Sequence, residues 1–230
     1  MDIGAAIRIG NIQVAKALLD EGTDPNVKVD QFANALQAAA WWGREEIVKL
    51  LLERGADVNA RHNRLGSALE AAADQRNAEV VKILLDSGAD FNAQGGIYDN
   101  ALKAALRGRE EEIVTMLLDR GMDVNKQFVE YGNAIQFASA SGLRRITEIL
   151  MDRGADVNAQ GGKYGTALIA AVERGGEEMV EMLLERGAGV NAQGGEYGTA
   201  LVAAAASGKI RLLKMLLGAH ATGNVLRCLC

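Results

Sequence analysis

Residues 166–198 read TALIAAVERGGEEMVEMLLERGAGVNAQGGEYG, and this stretch decides the fold. Its elements recur at a fixed interval of 33 residues along the whole chain of 230 residues. The interval separates Asn26, Asn59, Asn92, Asn125, Asn158, Asn191 and Asn224. Because no insertion breaks it, we divide the chain into seven units of one uninterrupted array: 1–33, 34–66, 67–99, 100–132, 133–165, 166–198 and 199–230. A period of this length predicts a solenoid of small helical repeats.

Each unit predicts two short helices and a loop. The first helix follows a residue that can cap it through a side-chain oxygen: Asn34, Ser67, Asn100, Asn133, Thr166 or Thr199. Glycine closes this helix at Gly10, Gly43, Gly142, Gly175 and Gly208, whereas Arg76 and Arg109 interrupt the column. The second helix carries apolar residues at helical spacing, as in Met179, Val180, Leu183 and Leu184.

The combination Thr166-Ala167-Leu168, Leu183-Leu184 and Gly187-Ala188-Gly189-Val190-Asn191 resembles the ankyrin repeat family. The resemblance covers essentially the whole chain and implies an all-α ankyrin solenoid with short loop or β-hairpin fingers. It departs from the family's Thr-Pro-Leu-His opening. Alanine replaces the proline, and the histidine position holds Gln37, Glu70, Lys103, Gln136, Ile169 and Val202. The Gly-Gly-x-Tyr-Gly-Thr-Ala-Leu variant resembles ankyrin segments of large fungal proteins, including receptor-like ones.

Composition and charge restrict the classes of partner. Hydrophobic residues make up 49% and charged residues 24%, as in an ordinary globular chain. The net charge of −5 argues against nucleic acid and anionic membranes as partners. The chain shows no signal peptide and no apolar run long enough to cross a membrane. Since its only cysteines are Cys228 and Cys230, we expect a cytoplasmic, intracellular protein.

No set of residues predicts catalysis, a cofactor or a metal site. The two histidines, His62 and His220, lie several units apart, so no nucleophile, base and orienting group converge. Residues 161–166 lack the Gly-Lys-Ser/Thr order of a phosphate loop. His220, Cys228 and Cys230 are one ligand short of a structural zinc site.

The resemblance implies binding through the loop tips and the exposed end of each first helix. Both tryptophans, Trp41 and Trp42, stand at such an end, where no other unit has an aromatic residue. We therefore predict a partner surface centred on them, because tryptophan is a common binding hot spot. The other predicted contacts are Arg8, Ile9, Gln31, Asn63, Arg64, Asp74, Gln75 and Arg107, all in the first four units, where the loops diverge most. The alternative is that one tryptophan packs under a neighbouring loop.

An aromatic column follows the loops. It comprises Phe32, Leu65, Tyr98, Tyr131, Tyr164 and Tyr197. These side chains either stack along the loops or form a platform for a sugar or a base. The repeated asparagines are predicted to bond the loop backbone.

The ends of the array lack a polar outer face. The apolar column that includes Ile83 and Ile149 continues to Met215 in the last unit, and the chain begins inside a first helix. Because solenoids need polar caps, the chain is expected to be a segment of a longer protein or to self-associate through its ends. The function predicted is a non-catalytic scaffold that binds a protein on its concave face. A self-associating structural array and a small-molecule binder on the tyrosine column are the alternatives.

Overall fold

The computed structural model describes residues 2–61, 65–94 and 97–227, with side chains to residue 219. The chain forms two compact units, residues 1–122 and 123–230. The first contains α1 (Ile3–Ile9), α2 (Ile12–Asp20), α3 (Ala35–Trp41), α4 (Glu45–Glu53), α5 (Ala68–Asp74), α6 (Ala78–Asp86), α7 (Ala101–Gly108) and α8 (Glu111–Asp119). The second contains α9 (Ala134–Ser141), α10 (Arg144–Asp152), α11 (Ala167–Arg174), α12 (Glu177–Glu185), α13 (Ala200–Ala206) and α14 (Ile210–Arg227).

The secondary structure confirms the predicted helical ankyrin-type repeat. Helices alternate between a first and a second helix of each repeat, and the β structure found in the described ranges is limited to isolated bridges. These bridges join Gly161 to Gly165 and Gly194 to Gly198 in the second unit, with a third between Phe128 and Gly132. The fingers of the second unit are therefore single-bridge turns and not extended hairpins.

The polar residues predicted to open the first helices do cap them. The side-chain oxygens of Asn34, Ser67 and Asn100 each accept the backbone N–H three residues on. Asn133, Thr166 and Thr199 do the same in the second unit. Each cap satisfies a donor that a helix N-terminus leaves open, which is worth about 1 kcal/mol.

The column of glycines after the first helix is left-handed at every repeat, including the two where glycine is absent. Gly10, Gly142 and Gly175 have φ between 70° and 87°. Arg76 and Arg109 adopt φ of 65° and 62° at the equivalent places. A side chain in this region costs roughly 1–2 kcal/mol, so the repeat geometry overrides the local preference of these two arginines.

The last helix is longer than the repeat predicts. The second helices α2, α4, α6, α8, α10 and α12 span nine residues each, whereas α14 spans 18. Left-handed glycines follow the shorter helices at positions such as Gly154 and Gly187. The equivalent position in the last repeat is His220. Without the glycine that favours a left-handed cap, the helix continues to Arg227.

The core consists of small and aliphatic side chains. In the first unit, α1, α3, α5 and α7 pack side by side, and α2, α4, α6 and α8 form the second row. Most alanines of the first helices are buried, including Ala39, Ala72 and Ala104 at 0% exposure. The second helices contribute buried Leu51, Leu84 and their equivalents. Small residues allow close approach of helices, which explains why so few aromatics are needed.

The repeated asparagines join consecutive loops, as predicted. The side chain of Asn26 donates to the Gly55 carbonyl at 3.3 Å and accepts the Asp57 N–H at 2.7 Å. Asn59 repeats this arrangement one unit later with Gly88 and Asp90. Asn125 and Asn158 repeat it in the second unit. Two bonds per asparagine fix the spacing between neighbouring repeats.

Candidate interaction surface

The two tryptophans occupy different environments at the end of α3. Trp41 is the last helical residue and is half-buried, with its ring centroid 6.0 Å from that of Phe32. Trp42 follows it and is 43% exposed. The end of α3 is held by the next repeat, because the Asn77 amide donates to the carbonyl of Ala40 at 3.0 Å. Trp42 is thus an exposed aromatic side chain on a fixed backbone, while Trp41 also packs.

A groove of about 380 Å³ lies beside Trp41 in the first unit. Its lining comprises Lys28, Asp30, Gln31, Trp41, Leu65, Ile97 and Tyr98. The apolar part combines the Trp41 ring with buried Leu65 and Tyr98, and Ile97 is 44% exposed. Lys28, Asp30 and Gln31 are exposed and add polar groups of both charges. Ligand-binding clefts typically combine an apolar lining with a few polar groups in this way.

Three of the predicted site residues form one cluster with Tyr98. The Asp74 carboxylate accepts the Tyr98 hydroxyl at 3.3 Å and the Gln75 amide at 3.0 Å. Arg107 pairs with the same carboxylate at 3.4 Å, and its guanidinium carbon lies 5.4 Å from the centre of the Tyr98 ring. Burial, followed by the Asp74 charge, raises the pKa of Tyr98, so its hydroxyl stays a donor at neutral pH. Asp74, Gln75 and Arg107 therefore support the groove wall at Tyr98.

Arg8 and Ile9 lie at the end of α1, which packs beside α3. Ile9 is 57% exposed, and the Arg8 side chain is exposed as well. The Arg44 guanidinium donates to the carbonyls of Ile7 at 3.2 Å and Arg8 at 2.7 Å, which fixes this end as Asn77 fixes the end of α3. Asn63 and Arg64 lie outside the described residues.

Several groove residues were absent from the predicted site. Of the residues that line the groove, the sequence predicted only Gln31 and Trp41. It did not predict Lys28, Asp30, Leu65, Ile97 and Tyr98. Two signals were present in the sequence: the divergent loop at 28–31, and the place of Leu65 and Tyr98 in the aromatic column. The sequence pattern did not show that loops one and two repeats apart line the same groove.

The aromatic column divides into buried and partly exposed members. Tyr98 is 1% exposed, so its ring is a wall and offers no open platform. In the second unit the rings of Tyr131 and Tyr164 are neighbours, with centroids 6.2 Å apart and planes tilted by 36°, and the Lys163 ammonium lies 4.7 Å from the centre of the Tyr164 ring. These contacts agree with stacking along the loops. Lys163 occupies the position over both rings that a ligand cation would take.

Metal-ligating side chains do not cluster in the described ranges. Those residues contain no group of three histidine, cysteine, aspartate or glutamate side chains placed to hold a metal ion. His62, Cys228 and Cys230 lie outside the described residues, and the side chain of His220 is not described. No helix in the described part of the chain is long and apolar enough to cross a membrane.

We expect Trp41→Ala and Trp42→Ala to differ in their effect on the free energy of unfolding, because Trp41 is half-buried beside Phe32 whereas Trp42 is exposed. Trp41→Ala removes a half-buried ring from Phe32 and should lower the free energy of unfolding by about 2 kcal/mol. Trp42→Ala removes an exposed ring and should change it by less than about 0.5 kcal/mol. Urea unfolding of the two variants measures both values. Equal losses would show that Trp42 packs as much as Trp41 does.

Comparisons with known proteins agree with the repeat. The family model for ankyrin repeats matches residues 3–95, 69–161 and 135–225, which together span nearly the whole chain. No curated protein matches the chain in sequence. Among solved structures, the crystal structure of the human ASB11 ankyrin repeat domain is similar with a TM-score of 0.81. The alignment covers 88% of this chain and 91% of that one at 22% identity, a level at which the likeness concerns the fold alone.

Proposed function

The chain belongs to the ankyrin repeat family, and from that premise we propose that it is a non-catalytic module that binds a protein partner. Ankyrin repeats are generally protein-interaction modules, and proteins built from them are typically scaffolds without catalytic groups. We place the proposed surface on the concave face of the repeats in the first unit. It comprises the Trp41 groove, Trp42, the exposed end of α1, half-buried Asp74 and Gln75 at the end of α5, and exposed Arg107 on α7.

The exposure of Trp42 on a held helix end carries this proposal. Tryptophan at the centre of an interface often costs 2 kcal/mol or more when truncated. A side chain presented on fixed backbone loses little freedom on binding. Ile9 adds a second exposed apolar side chain, and Arg8, Gln31, Asp74, Gln75 and Arg107 supply polar contacts of mixed charge. We include Asn63 and Arg64 in the surface on sequence grounds. This mixture favours a protein partner over nucleic acid or a membrane surface.

The test compares immobilised wild type, Trp42→Ala and Val202→Ala in an extract of cells that make the protein. Val202 is the matched control because it is an apolar residue 51% exposed on a first helix far along the chain. A recovered partner should bind Trp42→Ala at least roughly 30-fold more weakly by calorimetry, equivalent to about 2 kcal/mol. Its affinity for Val202→Ala should match wild type. Unchanged affinity for Trp42→Ala, or an equal loss in both variants, would remove Trp42 from the site.

Self-association is the second candidate, and exposed apolar residues favour it. Val202, Ile210 and Leu217 are 51%, 66% and 51% exposed in the last helix pair. Light scattering over a concentration series distinguishes the two functions. A mass that rises with concentration, and returns to the monomer value in Ile210→Lys, would favour a self-associating array. A constant monomer mass would favour the partner-binding module.

The cellular context is also a proposal. The Gly-Gly-x-Tyr-Gly loops support a segment of a larger receptor-like protein of the fungal type, located inside the cell. The small-molecule alternative has weaker support, because Tyr98 is buried and Lys163 already covers Tyr131 and Tyr164.

A further inference from the structure

One buried position in the first turn of the first helix can connect that helix to the neighbouring loops through side-chain hydrogen bonds. In two repeats this position holds glutamine. The Gln37 amide donates to the Gly66 carbonyl at 2.9 Å, and its oxygen accepts the Ala33 N–H at 2.6 Å. Gln136 donates to the Gly165 carbonyl at 2.9 Å and accepts the Asn133 N–H at 2.8 Å. In both cases an amide hydrogen joins the helix to a backbone carbonyl 29 residues further on.

Glu70 occupies the same position in the repeat that follows Gln37. Its side chain is 1% exposed and points toward the Gly66 backbone. One oxygen accepts from Arg61 at 3.3 Å, whereas the other is buried and has no hydrogen-bond partner within the described residues. A carboxylate has no hydrogen to donate, so it cannot make the bond that the two glutamines make. A buried carboxylate with an oxygen that lacks a partner is costly.

The carbonyl in the equivalent register belongs to Asp99. This residue has φ of 63°, where Gly66 and Gly165 stand in their repeats. Its carboxylate binds Lys103 at 2.6 Å, so the charge of Asp99 is already paired. Tyr98, the neighbouring residue, is a wall of the groove, and Leu65, next to Gly66, is another. The hydrogen bonding of Glu70 therefore concerns both loops that border the groove.

We propose that Glu70 is a proton-linked switch: when protonated it donates to the Asp99 carbonyl as the glutamines do, and when ionised it releases this bond and loosens the groove wall formed by Leu65 and Tyr98. Its regulatory consequence rests on the proposed function, because it assumes that a partner binds in that groove. The proton equilibrium itself does not depend on a partner.

Burial favours the neutral form of Glu70, against the effect of its charged neighbour Arg61. Burial raises the pKa of Glu70 to about 7, while Arg61 and Ser67 act in the opposite direction. The other titratable groups on the elements that pack around it are Asp74 on its own helix, Tyr98, Asp99, Lys103 and Arg107 on the following loop and helix, and exposed Glu79, Lys82 and Asp86 on α6. Asp74 is paired with Arg107 and Asp99 with Lys103, and among the residues that the structure describes Arg61 is the cation paired with Glu70.

The sign of the pH effect follows from the raised pKa. Between pH 4.5 and about 7 the folded chain holds a proton on Glu70 that the unfolded chain has lost. The Glu70 contribution to stability is therefore complete below pH 4.5, falls as pH rises through this window and is lost above about pH 7. The folding equilibrium constant should fall roughly tenfold per pH unit within the window, relative to a chain without this carboxyl.

The test is urea unfolding of wild type and Glu70→Gln from pH 5 to pH 8. Between these limits the ratio of the folding constant of Glu70→Gln to that of wild type should rise by roughly 50- to 100-fold. Gln37→Glu is the reciprocal variant and should introduce a dependence of the same sign. Parallel curves for wild type and Glu70→Gln would overturn the proposal.

The protonation of Glu70 can also be measured directly in the wild-type protein, without a substitution. Carbon-13 NMR of the wild-type Glu70 carboxyl should give a midpoint near pH 7, and a midpoint near 4.5 would overturn the proposal. With a partner in hand, wild type should bind more weakly at pH 8 than at pH 6, whereas Glu70→Gln should not. A normal titration with pH-independent binding would refute control of the groove. Loss of partner binding to Trp42→Ala, measured separately, tests the proposed function alone.

Discussion

Gly165→Ala is expected to lower the free energy of unfolding by about 3–4 kcal/mol. The residue has φ of 78°, where any side chain costs roughly 1–2 kcal/mol. In addition, an added Cβ would lie 2.3 Å from the backbone of Gly194 and Gly195 in the following loop. Two backbones must then move apart, and such overpacking typically costs another 1–3 kcal/mol. Urea unfolding measures the total.

Gly198→Ala is the matched control for this substitution. Gly198 has φ of 74° at the same place of the next repeat, but a Cβ there meets nothing within 4 Å. Gly198→Ala should therefore lower the free energy of unfolding only by the cost of the left-handed backbone, about 1–2 kcal/mol. Equal losses for the two variants would show that turn conformation alone requires these glycines. A larger loss for Gly165→Ala would establish close contact between consecutive loops.

Gln136→Ala is expected to cost about 3 kcal/mol. The Gln136 amide donates to the carbonyls of Ala159 and Gly165, both at 2.9 Å, and its oxygen accepts the Asn133 N–H. Alanine removes the Gln136 partner of all three backbone groups, although the Gly165 carbonyl keeps the Gly161 N–H. Each buried group left unsatisfied costs about 1–3 kcal/mol. The upper limit is not reached where water replaces part of the side chain. The measurement is again urea unfolding.

Gln193→Ala provides the comparison, because Gln193 is exposed on a loop of the same unit. Its substitution should change stability by less than about 0.5 kcal/mol. If Gln136→Ala were equally mild, the glutamine would be dispensable for joining helix and loop. The interpretation of Glu70 as a defective equivalent of glutamine would then lose its structural basis.

The sequence predicted the features that repeat. The caps, the glycines after the first helix and the loop asparagines each recur five to seven times at the 33-residue period, so one physical role explained every member of a column. The structure bears out the N-caps at Asn34 and Thr166 and the loop bonds of Asn26. It extends the left-handed column to Arg76, where glycine is absent, because neighbouring repeats impose the geometry.

Features specific to one repeat were harder to predict. The Gly-Gly step is visible in the sequence, but its contact with the preceding loop depends on a distance between repeats that no local pattern contains. The groove beside Trp41 likewise combines loops from three repeats. Glu70 was visible as a departure from its column, but its burial and unpaired oxygen required the packed structure. The length of α14 follows from a missing glycine, which becomes informative only when the other second helices are compared.

Site-specific photo-crosslinking tests the binding surface most directly. A benzophenone amino acid placed at position 42, and at position 202 as control, is irradiated in extract of cells that make the protein. We predict one crosslinked protein from position 42 that excess unlabelled wild type displaces and the Trp41→Ala/Trp42→Ala variant does not. The absence of such a product, or an equal yield of it from position 202, would contradict a partner site centred on these tryptophans.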